Sequence, residues 1–154
     1  MTPLESLRTE KVRAVGPQDV LRVAPTASVR DAIAMMQQAR RGCVLVCDED
    51  QLLGIFTERD LLRRVINTHE SLSAPIERFM TREPVTIGLE NTIAEAIRRM
   101  HRGGYRRLPV VDPSGRPIGI VSVRGVVHYL VQHFPAAVYN LPERKQVHDA
   151  REGA

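Results

Sequence analysis

The sequence predicts an α/β fold made of two β-α-β-β-α units, packed by their sheets around a pseudo-two-fold axis. Three observations carry this prediction. The stretch SVRDAIAMM (28–36) returns as TIAEAIRRM (92–100). CVLVCDEDQLLGIFTERD (43–60) returns as LPVVDPSGRPIGIVSVRG (108–125), and an apolar stripe with helical spacing follows each copy. A repeat of this length is a unit too small to bury a good core alone, so two must share one.

Each unit opens with a short extended segment, DVLRVAP (19–25) and PVTIG (84–88). A helix follows. Val29, Ala32, Ile33 and Met36 recur as Ile93, Ala96, Ile97 and Met100, the i, i+3, i+4, i+7 pattern of one buried helix face. Ser28-x-x-Asp31 and Thr92-x-x-Glu95 are capping-box patterns that satisfy the first free backbone N–H groups. Next come two apolar runs joined by a polar turn, a hairpin; in DPSG (112–115), Pro113 presets the second turn position and Gly115 relieves the fourth. We place the offset between the copies at 64 through the first helix and at 65 after it. Leu61, Leu62, Val65 and Ile66 then form a closing helical stripe, as do Val123, Val126, Val127, Leu130 and Val131, which end near Pro135. The resulting division is an N-terminal segment 1–18, unit one 19–66, a linker 67–83 with a short helix around Pro75 to Met80, unit two 84–131, and a tail 132–154.

Composition sets the class. Of 154 residues, 43% are apolar and 26% charged, the balance of a globular protein. The longest apolar runs hold about five residues, far below the ~20 that span a bilayer, and 1–16 has no apolar stretch of signal-peptide length. The cytoplasm is the expected compartment. Cys43 and Cys47 lie on one face of a strand, about 13 Å apart, too far for a disulfide, and read as small buried apolar residues. The five histidines share no metal-binding spacing. No nucleophile–base pair, metal set or phosphate loop has a recognisable pattern, so no catalysis is expected.

The net charge of +4 comes from clustered arginines: Arg40-Arg41, Arg63-Arg64, Arg98-Arg99 and Arg106-Arg107. Arginine suits bidentate phosphate contact, whereas Arg63-Arg64 and Arg98-Arg99 suit a solvated helix face. The pairs 40–41 and 106–107 stand just before equivalent strands, which suggests a shared anion. Nucleic acid is not the expected partner, because aromatics are only 4% and Tyr105 alone stands among the arginines.

GIFTERD (54–60) takes a strand into a helix. Thr57-x-x-Asp60 is a capping pattern, and a first-turn carboxylate can also hold the two hydroxyls of a ribose. GIVSVRG (119–125) keeps the serine but has Gly125 where the acid stands, and the helix pattern after it survives. The acid is therefore dispensable for that turn, which favours a ligand role for Asp60.

With two full units in order, the chain resembles a tandem pair of CBS domains (a Bateman module) over residues 20–66 and 84–131. HFPAAVYNLPER (133–144) resembles the endings of small stand-alone bacterial members. The resemblance implies an adenosine-containing ligand (AMP, ADP or ATP, with S-adenosylmethionine or NAD as further possibilities) in a cleft between the units, and no required cofactor. It implies that Thr57 and Asp60 contact the ribose. Ile55 and the backbone around Gly88 and Tyr105 would pack on adenine, and Arg41, Arg59, Arg106 and Arg107 would meet phosphate. A weaker or empty second site would use Ser122, Arg124 and Ala24. It further implies a homodimer of CBS pairs, with exposed residues of 123–131 and the VYNL segment as contacts, acting on an unidentified effector protein. The alternatives are a ligand-free structural dimerisation module, or RNA or DNA binding through the arginine face.

Overall fold

In the computed structural model, which describes residues 1–139, the chain forms two sheets placed back to back. The first contains β1 (Arg22–Val23), β2 (Cys43–Asp48), β3 (Gln51–Thr57) and β4 (Thr81–Arg82), in that spatial order. The second contains β5 (Ile87–Gly88), β6 (Arg107–Val111) and β7 (Pro117–Ser122). In each, the short opening strand runs parallel to the first hairpin strand and the hairpin is antiparallel. The helices are α1 (Pro3–Thr9), α2 (Val29–Ala39), α3 (Glu58–Asp60), α4 (Ile93–Gly103), α5 (Val123–His133) and α6 (Pro135–Tyr139).

Strand β2 reads as continuous apolar sequence because both its faces are covered. Val44 and Val46 join Val29, Ala32 and Met36 of α2 in the core of unit one. Cys43, Leu45 and Cys47 point the other way and meet Ile55 and Ile120 where the sheets face each other. The cysteines are free and buried, as expected. Ile87, Ile93, Ala96, Met100, Leu108 and Val110 build the matching core of unit two.

The helix starts are capped by the predicted residues, but neither of the two first-helix boxes closes. Ser28 and Thr92 side chains accept the N–H of Asp31 and Glu95, but the Glu95 carboxylate turns outward to Arg98 and Arg99 instead of closing a box. At Thr57–Asp60 both halves of the box are made.

Four features differ from the sequence reading. After α3 the chain widens into a π-helix (Leu61–Ile66), with Asn67 and Glu70 N–H groups reaching the carbonyls of Leu62 and Val65. This rotates the expected stripe: Val65 is buried, but Leu62 and Ile66 are 60% and 54% exposed. In α5, Val126 is buried while Val123 and Val127 are exposed, and the buried aromatic is Tyr129, whose hydroxyl meets the Ser6 hydroxyl at 2.7 Å. The offset between copies is 64 through the first hairpin strand as well. Cys43 pairs with Thr57 as Arg107 pairs with Ser122, and the extra residue enters only past the bulges at Val46/Cys47 and Val110/Val111.

The fourth difference is a crossing of segments. The 3₁₀ turn Val12–Val15 lies on unit two: Val12 N–H donates to the Asn91 carbonyl at 2.8 Å, and Val12 is fully buried among Ile87, Ile93 and Leu108. The 3₁₀ turn Ile76–Arg78 lies in the same way on unit one, with Ile76 N–H on the Ala27 carbonyl at 2.7 Å. Each then runs alongside the second hairpin strand of that unit, as β4 beside Gly54 and Ile55 and as Gln18 beside Ile120. This explains the repeated glycine. A Cβ on Gly54 would stand 2.8 Å from the Thr81 carbonyl, and one on Gly119 would stand 3.0 Å from the Pro17 side chain.

Candidate functional site

The start of α3 opens into a cleft of about 740 Å³ between the units. Thr57 is extended and caps the helix, accepting the Asp60 N–H at 3.3 Å. Asp60 answers through one carboxylate oxygen, Oδ2, which accepts the Thr57 N–H at 2.9 Å and the Thr57 hydroxyl at 3.1 Å. The other oxygen, Oδ1, faces the Thr81 hydroxyl at 3.4 Å and Arg64 Nε at 3.6 Å. The residue is only 7% exposed. Half of this carboxylate therefore serves the helix, and half is held at a rim furnished with hydroxyl and guanidinium groups.

Arg64 also donates to the Met80 carbonyl at 2.8 Å, which ties β4, and with it Thr81, to the helix. Ile55, Pro84, Val85, Tyr105 and Pro109 give the cleft an apolar wall. The Tyr105 ring lies against Gly103, where any Cβ would collide with it. Arg59, Arg63, Arg106 and Arg107 complete the lining. The arrangement offers an acceptor for a diol, a wall for a flat apolar ring and cations for phosphate.

Of the nine predicted residues, Ile55, Thr57, Arg59, Asp60, Tyr105, Arg106 and Arg107 come together here. Gly88 does not: it lies in β5, and its N–H is taken by the Asn91 side chain at 2.8 Å. The wall that the sequence reading sought at Gly88 is supplied three and four residues earlier, by Val85 and Pro84. Arg41 lies in the other cleft and donates to the Asp19 carbonyl at 2.7 Å. The sequence reading missed Thr81, one of four hydroxyl residues in the presumed linker with nothing local to set it apart from Thr68, Ser71 and Ser73.

The second cleft, about 1110 Å³, lies at the start of α5. Ser122 accepts the Gly125 N–H at 3.0 Å, and Ser122 and Arg124 line the space. Ala24 does not; it follows β1 at the surface, where its carbonyl accepts the Ala27 N–H. The strand register also corrects the symmetry of the arginine pairs. At an offset of 64, Arg40 and Arg41 correspond to Gly104 and Tyr105, while Arg106 and Arg107 correspond to Gly42 and Cys43. Arg106, Arg107 and Glu58 line both clefts, and the absent Cβ of Gly42 leaves room for the Arg107 guanidinium and the Glu58 carboxylate above the backbone. No helix among the described residues is long and apolar enough to cross a membrane, and no cluster suited to a metal ion occurs among them.

The family model for the CBS domain matches twice, at residues 12–67 and 76–132. Its two matches begin at Val12 and Ile76, the pair of buried residues that lead the crossing segments. CBS domain-containing protein CBSCBSPB1 of Arabidopsis thaliana is 35% identical over 137 residues, which cover 84% of this chain and 25% of that protein. Uncharacterized protein MK0525 of Methanopyrus kandleri is 34% identical over 130 residues, covering 81% of this chain and 66% of that protein. With plant and archaeal relatives, the similarity does not mark the chain as bacterial. Among solved structures, CBSX2 in complex with AMP is 26% identical with a TM-score of 0.68, covering 80% of this chain and 97% of that one. The CBS-domain containing protein ATU1752 from Agrobacterium tumefaciens is 32% identical with a TM-score of 0.69, covering 77% and 96%. Two matched segments, arranged as two sheet-packed units with crossed opening segments, make this chain a member of the CBS domain family, carrying the domain as a tandem pair.

Proposed function

We propose that the chain is a regulatory module that binds an adenosine nucleotide (AMP, ADP or ATP) in the first cleft and alters its own dimer or a partner protein in response. The observation that carries this reading is the divided Asp60 carboxylate, with one oxygen on the helix cap and the other at the rim of the cleft beside Thr81 and Arg64. Ribose hydroxyls meet Oδ1, adenine lies along Ile55, Val85 and Tyr105, and the phosphates face Arg59, Arg106 and Arg107. The relative solved with AMP, 26% identical over most of its length, supports the choice of ligand class. Exposed Leu62 and Ile66 of the π-helix and Val123 and Val127 of α5 supply apolar side chains suited to a homodimer contact; the VYNL stretch proposed with the exposed residues of 123–131 lies largely outside the described residues. The chain's part in this reading is to sense, with no bond made or broken.

Thermal unfolding with AMP, ADP, ATP, NAD and S-adenosylmethionine tests it. A ligand at ~100 times its Kd adds about 2.7 kcal/mol, which raises Tm by roughly 5–10 °C for a domain of this size. No shift with any of the five rejects the adenosine reading.

A further inference from the structure

The two clefts of the pair differ in kind, and the differences fall at corresponding positions. Where the first cleft has Asp60, the second has Gly125, leaving Ser122 without a carboxylate beside it. Where the first has the Tyr105 ring, the second has Arg41, fixed by its bond to the Asp19 carbonyl. Both groups that could recognise a nucleoside are thus replaced, one by nothing and one by a cation. Arg40, Arg41 and Arg124 line this cavity, joined by Arg106 and Arg107, which it shares with the first cleft. None of the five takes part in an ion pair among the described residues. Some arginines elsewhere are matched, as Arg98 and Arg99 are with Glu95 and as Arg116 is with Asp50, and the unmatched others, such as Arg8, Arg30 and Arg102, do not converge on this cavity. Among the described residues the lining holds one acidic residue, Glu58, against five arginines. Like charges gathered around one cavity repel each other, and a multiply charged anion between them relieves that repulsion.

We propose that the second cleft is a separate binding site for a small polyphosphate group, inorganic or esterified to a sugar, and that it takes no nucleoside. Each guanidinium offers a planar pair of donors to a phosphate, and Arg41 brings them already oriented. The proposal does not rest on what fills the first cleft.

Isothermal titration of the full chain with inorganic tripolyphosphate in low-salt buffer tests it, with a hexose bisphosphate as the esterified probe. Binding of either supports the site, and the tighter of the two identifies the source of the phosphate. Arg41→Gln with Arg124→Gln weakens binding at least about tenfold, whereas Asp60→Ala leaves it within about twofold. Glu58→Gln removes the one acid of the lining among the described residues and tightens binding, a gain that a folding defect cannot produce. The proposal is overturned if neither probe binds, or if Asp60→Ala costs as much as the arginine changes. Mole-for-mole displacement of tripolyphosphate by AMP, or stronger binding of a single-stranded oligonucleotide than of tripolyphosphate, overturns it as well.

Discussion

Replacing Asp60 by alanine separates its two duties, holding the helix and holding a ligand. The change removes the acceptor of the Thr57 N–H and hydroxyl and the partner of Thr81 and Arg64. The Thr57 hydroxyl remains to cap the Asp60 N–H, as Ser122 does alone at Gly125. The cost to folding is therefore that of half a cap, about 1 kcal/mol, or roughly 2–4 °C in Tm. The cost to nucleotide binding is larger. A charge-assisted hydrogen bond contributes ~1.5–3 kcal/mol, so Kd for AMP rises about 10–100-fold. Calorimetric titration of wild type, Asp60→Ala and Asp60→Asn reads the second effect, and thermal unfolding of the ligand-free proteins reads the first. Asp60→Asn retains an acceptor for the cap but no charge, so it recovers most of the stability and little of the affinity. If AMP binds Asp60→Ala within twofold of wild type while Tm falls, the carboxylate is a cap alone and the assignment of the ribose contact is refuted.

Other changes test the frame around the clefts. Gly42→Ala places a Cβ against the tips of Arg107 and Glu58. These are flexible ends, so unfolding changes by less than about 1 kcal/mol, while titrations at both clefts show weaker binding. Gly54→Ala meets the Thr81 carbonyl and Met80 instead; backbone cannot yield so cheaply, and urea unfolding should show a loss of about 1–3 kcal/mol. Val12→Ala, far in sequence from unit two but fully buried in its core, costs roughly 1.5–3 kcal/mol by the same measurement. Burial pushes the Cys43 and Cys47 thiols above their usual range, a rise that nearby Arg107 and Arg22 only partly offset. The folded state therefore holds these protons where the unfolded state releases them. Their contribution to stability is full below about pH 9 and is lost as pH rises beyond it. Urea midpoints between pH 7 and 10 should fall with pH, and less steeply in the Cys43→Ala, Cys47→Ala double variant.

The elements visible in the sequence were those fixed by local chemistry. Val29 and its recurrences gave the first helices, DPSG gave a turn, and Ser28, Thr57, Thr92 and Ser122 gave their caps, because each pattern needs only neighbouring residues. What stayed hidden depends on distant partners. β4 is two residues long and exists because Gly54 lets it approach β3. The π-helical turn after Asp60 turns Leu62 and Ile66 outward although their spacing suits a buried helix face. The apolar wall was sought at Gly88, yet only three-dimensional register brings Val85 to it. The apparent symmetry of Arg40-Arg41 with Arg106-Arg107 arose from counting along the chain; the strand pairing moves the extra residue into the hairpin and breaks that match.

The crossed opening segments carry a consequence for synthesis. Unit one can close only once Ile76 has been made, so it waits for the connection and not for unit two. Val12 waits far longer, because its core includes Val126 and Tyr129. At roughly 5–20 residues per second, that delay is on the order of 6–25 s, during which the apolar segment around Val12 has no home. A segment made before either unit is thus among the last to be placed, and the second unit completes only when both ends of the described chain have met.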